Sequence, residues 1–362
     1  MNLKINHRLG VVDVKYFNNF SLNLKYDSVG STFSFGFYFD PTNHDQEELA
    51  CVSHYHEAIV QHEGETLVTG FILSENFERS PVKHLVHFGG YSKPGVLEDC
   101  QIPPSLYPLE SNNLSLKEIA QRLIKPFHLN MVIDPAVEAR MNIVYPKSTA
   151  GETQTIKDYL TELATQRNII ISHNENGDLL FTQATMGLPI ADFSSKLIGT
   201  KMSLSFSGQG IHSDITVIKQ VSHKKKGGGE GNAGQVTIEN PYVPVAYTFR
   251  PKVITQSSGD DISTLQCAQN ALAAELKNIV LTITTDRWEI NGKIIRPNNI
   301  ISVTSPELYL YRKTNWFIES VQFTGNEKEQ VAVLTCVLPE CYNGKSPKNV
   351  FVFAHKNFAT EL

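Results

Sequence analysis

Five cysteines in 362 residues, Cys51, Cys100, Cys267, Cys336 and Cys341, are too few, too scattered and of the wrong parity for a disulfide framework. Cys336 and Cys341 are close in sequence, but no second pair completes a zinc spacing, so reduced thiols in a protein made in the cytoplasm are the plain reading. Long apolar runs are also missing, and no stretch is long enough to span a membrane. Lys4 and Arg8 have no apolar run behind them, so no signal peptide is expected. There is no excess of basic charge: the formal net charge of −5 argues against the usual surface for nucleic acid. Catalytic signatures are absent too, with no G-x-S-x-G elbow, H-E-x-x-H pair, P-loop or dinucleotide fingerprint. Gly208-Gln209-Gly210 lacks a third glycine and a following helix, and reads as a turn.

What is present is a chain long enough for two to four compact units, 41% hydrophobic, with a change of periodicity along its length. Val11–Val14, Phe20–Leu24, Phe33–Phe37, Ala58–Val60, Leu67–Leu73 and His84–Phe88 are short alternating or apolar runs. Turn residues such as Asp40-Pro41 and Glu63-Gly64 separate them. Residues 1–110 are therefore expected to be a small antiparallel barrel or sandwich.

Ser115-Leu116-Lys117-Glu118 is a capping box, and Leu116, Ile119, Ala120, Leu123 and Ile124 follow at helical spacing up to Pro126. Two strand-like pieces, 130–133 and 142–145, precede a second helix with Ile156, Tyr159, Leu160, Leu163 and Ala164 on one face. Ile169–Ser172 and Asp178–Thr182 read as a hairpin about Asn176-Gly177, which makes 111–186 an α+β unit of order αββαββ.

β patterning returns over 187–250 and 294–340. Strands are expected at 203–207, 211–221, Val243–Arg250, 253–254, 280–284, 300–303, 316–323 and 331–338. A helix over 263–277 with Leu265, Ala268, Leu272 and Leu276 on one face lies in an inserted module, 251–293, and 341–362 is a tail. The lysine- and glycine-rich stretch 223–234 has nothing large to bury and is expected to be a mobile, solvated loop.

Three weaker chemical readings remain. His54 and His56, on a strand, would share a face, with His62 downstream; the alternatives are chelation and ordinary strand surface. Glu47-Glu48 and Asp260-Asp261 are carboxylates of the kind a cell-wall hydrolase pairs across a glycosidic bond. Phe37, Tyr38, Tyr55 and Phe71 form either a sugar platform or core. None is compelling, and no catalytic residue, cofactor or metal is expected.

Two stretches carry a family resemblance. Phe88-Gly89-Gly90-Tyr91-Ser92-Lys93-Pro94-Gly95-Val96-Leu97-Glu98-Asp99-Cys100 resembles the segment of Mu-like phage baseplate hub proteins in which a strand ends in Gly-x-Ser/Asp-Lys and continues into Leu-x-Asp-Cys/Ser. Tyr247–Pro251, with Arg250-Pro251, the helix at 263–277, Trp288, Gly292, Arg296-Pro297-Asn298 and 301–303, resembles the closing module of the same family. Tyr91 stands where the family often has arginine. The motif residues are Gly90, Ser92, Lys93, Leu97, Asp99, Arg250, Pro251, Trp288, Pro297 and Asn298. Their expected roles are structural: Gly89-Gly90 for a bend and Pro297-Asn298 for a turn.

The resemblance implies a β-rich α+β fold with two small antiparallel β-barrels and two α/β or α+β modules. It implies a homotrimer that joins the hexameric tail tube to the trimeric central spike, with other baseplate subunits as neighbours. Related hubs occur in R-type bacteriocins and in type VI secretion spikes. The implied place is the virion tail baseplate, after synthesis in the host cytoplasm, with no membrane and no specific nucleic-acid partner. The readings weighed against it are a tail-associated cell-wall hydrolase and a receptor- or glycan-binding baseplate protein.

Overall fold

The computed structural model describes residues 1–7, 10–81, 84–194, 200–219, 234–246, 248–256, 263–326 and 328–351. The expected loop at 223–234, apart from Gly234, lies outside the described residues, as do Tyr247 and Asp260-Asp261. The fold is β-rich α+β, and the chain forms two compact units. The first comprises 1–183, 285–297 and 319–334; the second comprises 184–284, 298–318 and 335–362.

The first unit begins with seven strands: β1 (Asn2–His7), β2 (Gly10–Val14), β3 (Asn19–Lys25), β4 (Thr32–Tyr38), β5 (Glu57–His62), β6 (Glu65–Arg79) and β7 (His84–Ser92). They pair antiparallel in the order β3-β4-β7-β6-β5-β1-β2, and the strand Leu310–Asn326 adds Ser320–Asn326 beside β3. Alternation sets the buried face: Leu3, Ile5, Leu22, Phe35, Val60, Val68, Val86 and Phe88 have no more than traces of exposed surface. β5 and β6 join through Glu63-Gly64, both at positive φ (48° and 88°), the conformation that two-residue hairpins require. No pairing among the described residues closes these strands into a barrel. Sequence periodicity also passes over the helix His44–Leu49, which follows the turn at Asp40-Pro41.

Beyond β7 the first unit continues as an α+β layer. Ser115 accepts from the Glu118 amide at 3.3 Å while Glu118 Oε2 accepts from the Ser115 amide at 2.8 Å, so the predicted capping box forms at helix Leu116–Ile124. Such a cap contributes about 1 kcal/mol. That helix and Ile156–Gln166 bury their apolar faces with Leu97, Tyr145, Ile171, Leu179 and Phe181. The expected hairpin is present, Ile170–His173 against Leu179–Thr182, and Met131–Ile133 adds in parallel. A short helix, Glu138–Met141, lies between the two expected strand pieces, of which the second is reduced to Val144–Tyr145.

In the second unit, Asp192–Ser194 runs parallel to Ile300–Ser305, which pairs antiparallel with the first part of Leu310–Asn326. A separate three-stranded sheet has the order Gln235–Glu239, Asp214–Lys219, Pro251–Gln256. The expected strand Val243–Arg250 is not a strand: its described residues are turns and irregular chain, with Val243 N–H donating back to the Asn240 carbonyl. Prolines at 241 and 244 remove ladder donors there.

Helix Thr264–Leu276 is capped by Ser263 and buries Ala268, Leu272 and Leu276, but Leu265, expected on that face, is 47% exposed. Its most buried polar side chain is Glu275, 5% exposed. The carboxylate accepts from Lys252 Nζ at 2.9 Å, from His212 Nδ1–H at 2.8 Å and from the His212 amide at 2.9 Å. One acid thus ties the helix to an edge strand of the three-stranded sheet and to the segment leading into its central strand.

Replacing Glu275 with alanine leaves the Lys252 ammonium, the His212 ring N–H and the His212 amide without this acceptor, although both side chains can still reach water. We expect a loss of about 2 kcal/mol in unfolding free energy, measured as a shift of the denaturant midpoint. A shift below 0.5 kcal/mol, the size of an ordinary surface change, would contradict this role.

Candidate functional site at the Gly89–Cys100 corner

β7 lies between β4 and β6, with Gly90 opposite Phe33 on one side and Ile72 on the other. A Cβ on Gly90 would overlap the Phe71 carbonyl oxygen and fall 2.6 Å from Phe33 Cζ; one on Gly70 would overlap the Tyr91 carbonyl. The glycines therefore permit a close backbone approach. They do not make the expected bend, because β7 runs extended through both to Ser92. The turn comes next, at the 3-10 segment Lys93–Gly95, where Pro94 supplies a fixed φ. A β-bulge between Ile72 and Ser74 accommodates the tight crossing on the β6 side.

Ser92, Lys93, Tyr91, Asp99 and Leu97 fix this corner. Ser92 is fully buried; its hydroxyl donates to the Val29 carbonyl at 3.0 Å and accepts from the Ser31 amide at 3.1 Å. Lys93 pairs with Glu57 of β5 and lies 5.8 Å from the centre of the Phe71 ring. Tyr91 lies over Gly95 and donates its hydroxyl to Asp99 Oδ2 at 2.7 Å. Burial first, and the Asp99 carboxylate second, push the Tyr91 phenol well above its ordinary pKa. Leu97 is fully buried in the α+β core. The Cys100 carbonyl accepts from the Ile156 amide at 2.9 Å, so the corner runs directly into the second long helix of that layer.

A second set of contacts, invisible in the motif, presses the hairpin tip onto the strands. Thr69 of β6 donates to the Glu175 carbonyl at 2.8 Å, and Gly177, at φ +81°, leaves no room for a Cβ beside the Thr69 carbonyl. His173 Nδ1–H donates to the Ser28 carbonyl at 3.0 Å. Burial holds the His173 imidazole below its ordinary pKa, against the smaller opposing effect of that hydrogen bond.

The remaining motif residues do not converge here. Trp288, in the first unit, is 6% exposed and packs edge-on against Phe20, His62 and Phe323. Pro297 ends the 285–297 segment of the first unit. In the second unit, Asn298 adopts φ +62° and accepts from the Thr185 amide at 2.8 Å, the turn expected of Pro-Asn. Arg250 donates to the Gln209 carbonyl at 2.8 Å, and Pro251 opens an edge strand, where its missing N–H is harmless.

The other chemical candidates separate as well. His54 and His56 are not on a strand; they lie in the loop before β5, with Ser53 and Tyr55 at positive φ. His62 is elsewhere, 2.9 Å from Glu289. His62, Glu63 and Glu289 are the group of three potential ligands within 4.8 Å of one another among the described residues. Glu47 and Glu48 sit in the helix His44–Leu49, where Glu47 approaches His44 at 3.4 Å. Phe37 is core against Phe88, whereas Tyr38 and Tyr55 are exposed, so no four-ring platform assembles.

Two measurements test the corner. Gly90→Ala should cost about 3 kcal/mol in unfolding free energy because backbone must move, whereas Gly187→Ala, with open space around it, should stay within about 0.5 kcal/mol. For His173, the folded pKa lies below the unfolded value near 6.5, so its contribution is complete above that pH and is lost as pH falls through it. Between pH 7 and 5 wild type should lose stability more steeply than His173→Gln, by at most about 1.4 kcal/mol per pH unit. Parallel slopes would show that His173 does not titrate differently on unfolding.

Residues 94–183 match the family described as baseplate hub protein gp44-like, second domain. No curated protein sequence matches the chain. Among solved structures, the 43 kDa tail protein of prophage MuSo2 from Shewanella oneidensis is similar over 95% of this chain and 99% of its own, with TM-score 0.75 at 16% identity. The tail protein from Neisseria meningitidis MC58 matches with the same TM-score of 0.75 and 16% identity, over 95% and 98%. An E. coli component of the type VI secretion system, described as similar to the T4 phage tail proteins gp27 and gp5, matches at TM-score 0.56 and 11% identity over 97% and 80%. Residues 94–183 are thus similar to the second domain of gp44-like baseplate hub proteins, and the chain shares its fold with the two tail proteins and with the type VI secretion component.

Proposed function

We propose that this chain is a structural hub subunit of a contractile injection machine, a trimeric adaptor between the hexameric tail tube and the trimeric central spike. The observation that carries the reading is the hub second domain at 94–183, joined through the Gly89–Cys100 corner to a strand layer whose fold matches tail proteins along nearly the whole chain. The identified contacts at the corner are packing, hydrogen bonds and an ion pair, which suit a part that must transmit position.

The symmetry argument is physical. A sixfold tube that meets a threefold spike leaves half its contacts without an equivalent unless an adaptor presents six similar positions from three chains. Two β regions per chain, 1–110 and 187–250 with 294–340, would supply them, each as a barrel-like body in a ring. The module 251–293 and the α+β domain 111–186 would project from that ring. Exposed edges favour association: β2 ends its sheet with Val11 63% exposed, and the edge strand Pro251–Gln256 presents Val253, also 63% exposed. The motif residues Gly90, Ser92, Lys93, Leu97, Asp99, Arg250, Pro251, Trp288, Pro297 and Asn298 act in this reading by shaping the subunit. The spike and tube proteins are its direct partners, and the baseplate of the tail is its place.

The test is mass by light scattering, alone and with the spike protein. A trimer, or a monomer that becomes three copies per spike trimer, is expected; a dimer or hexamer persisting with spike present would contradict it. Incubation with purified peptidoglycan should release nothing.

A further inference from the structure

The loop Ala50–His56, between helix His44–Leu49 and β5, gathers side chains that the corner does not use. Ser53 and Tyr55 both take left-handed backbone, at φ +69° and +48°. Non-glycine residues rarely adopt it, and such residues concentrate at ligand sites. Alternating with His54 and His56, they fold the segment so that Cys51 meets His54 and the His54 ring meets that of His56. Cys51 Sγ lies 3.3 Å from His54 Nε2, and the His54 and His56 rings are 5.4 Å apart at 78°. His7, from β1, is 6.1 Å from His56.

His56 is only 7% exposed, and its Nε2 is buried without a hydrogen-bond partner. Its ring also bonds the Glu48 backbone, so Nδ1–H is the donor to that carbonyl and Nε2 holds a free lone pair. This is the arrangement of a metal-ligating imidazole, one nitrogen fixed by a backbone carbonyl and the other presented. The His56 carbonyl in turn accepts from the Ile72 amide at 2.9 Å, which fixes the residue against β6.

We propose that Cys51, His54 and His56 bind a thiophilic divalent cation of the zinc class, with His7 placed to supply a fourth ligand. A tetrahedral zinc site sets sulfur and nitrogen ligand atoms about 3.6 Å apart and the centroids of two ligating rings about 5 Å apart. The observed 3.3 Å and 5.4 Å are close to both. In the metal-free chain the three ligand atoms do not all lie within 4.8 Å of one another, so binding requires Cys51 and the exposed His54 to swing toward the fixed His56 Nε2. Binding converts the Cys51 thiol to thiolate and releases its proton to solvent. The ion would clamp the loop before β5 and, through His7, join it to β1.

Cobalt(II) titrated into the reduced full chain tests this. Uptake of one equivalent is expected, with a thiolate-to-cobalt charge-transfer band and tetrahedral d–d bands, both displaced by zinc. Cys51→Ser should lose the charge-transfer band, and His54→Ala should weaken binding at least about 10-fold. Neither residue is in the buried core, and unchanged metal-free melting of both variants confirms that they fold. Cys100→Ser and Glu289→Gln should leave affinity and spectrum unchanged. Three results would overturn the proposal: no saturable uptake, a charge-transfer band that survives Cys51→Ser, or binding abolished by Glu289→Gln, which would move the ion to the His62–Glu63–Glu289 group.

Discussion

The backbones of β6 and β7 pass so close that neither Gly70 nor Gly90 has room for a Cβ. Much of the first unit follows from that contact. It fixes where β7 stops, because Ser92 must then satisfy Val29 and Ser31 inside the protein. It also fixes where the next layer starts, because Pro94 and Gly95 turn the chain and Leu97 enters the α+β core two residues later. The hairpin tip returns to the same strands through Thr69 and Gly177, so the α+β layer is held to β6 and β7 at two points. Two attachments resist rotation in a way that one cannot.

Where local chemistry decides the structure, the sequence could be read. The Ser115–Glu118 capping box and the Asn176-Gly177 hairpin depend on neighbours within four residues, and both form. Where tertiary neighbours decide, it could not. Val243–Arg250 has the composition of a strand, but Pro244 within it and Pro241 just before it remove ladder donors. Leu265 has helical spacing with Leu272 and Leu276, yet it faces out while Glu275 is buried, where Lys252 and His212 arrive from distant sequence to donate hydrogen bonds to it. His54 and His56 alternate like strand residues, and only the left-handed turns at Ser53 and Tyr55 take them off the ladder.

The motif residues show the same division. The sequence suggests a bend at Gly89-Gly90, whereas in the structure Gly90 is required by its close contact with Phe71 and Phe33. Asp99 and Tyr91 are one hydrogen-bonded pair across the turn, a relation that spacing alone does not reveal. Trp288, Arg250 and Asn298 have separate local tasks in packing, strand entry and turning, so the resemblance reports a shared architecture and not a shared pocket.

The most direct test of the adaptor account is an electron cryomicroscopy reconstruction of the assembled tail, with copies of this chain counted at the tube–spike junction. The account predicts three copies whose two β regions alternate around six near-equivalent positions, with residues 94–183 outside that ring. Six copies, a peripheral location, or β regions with no common topology would contradict it.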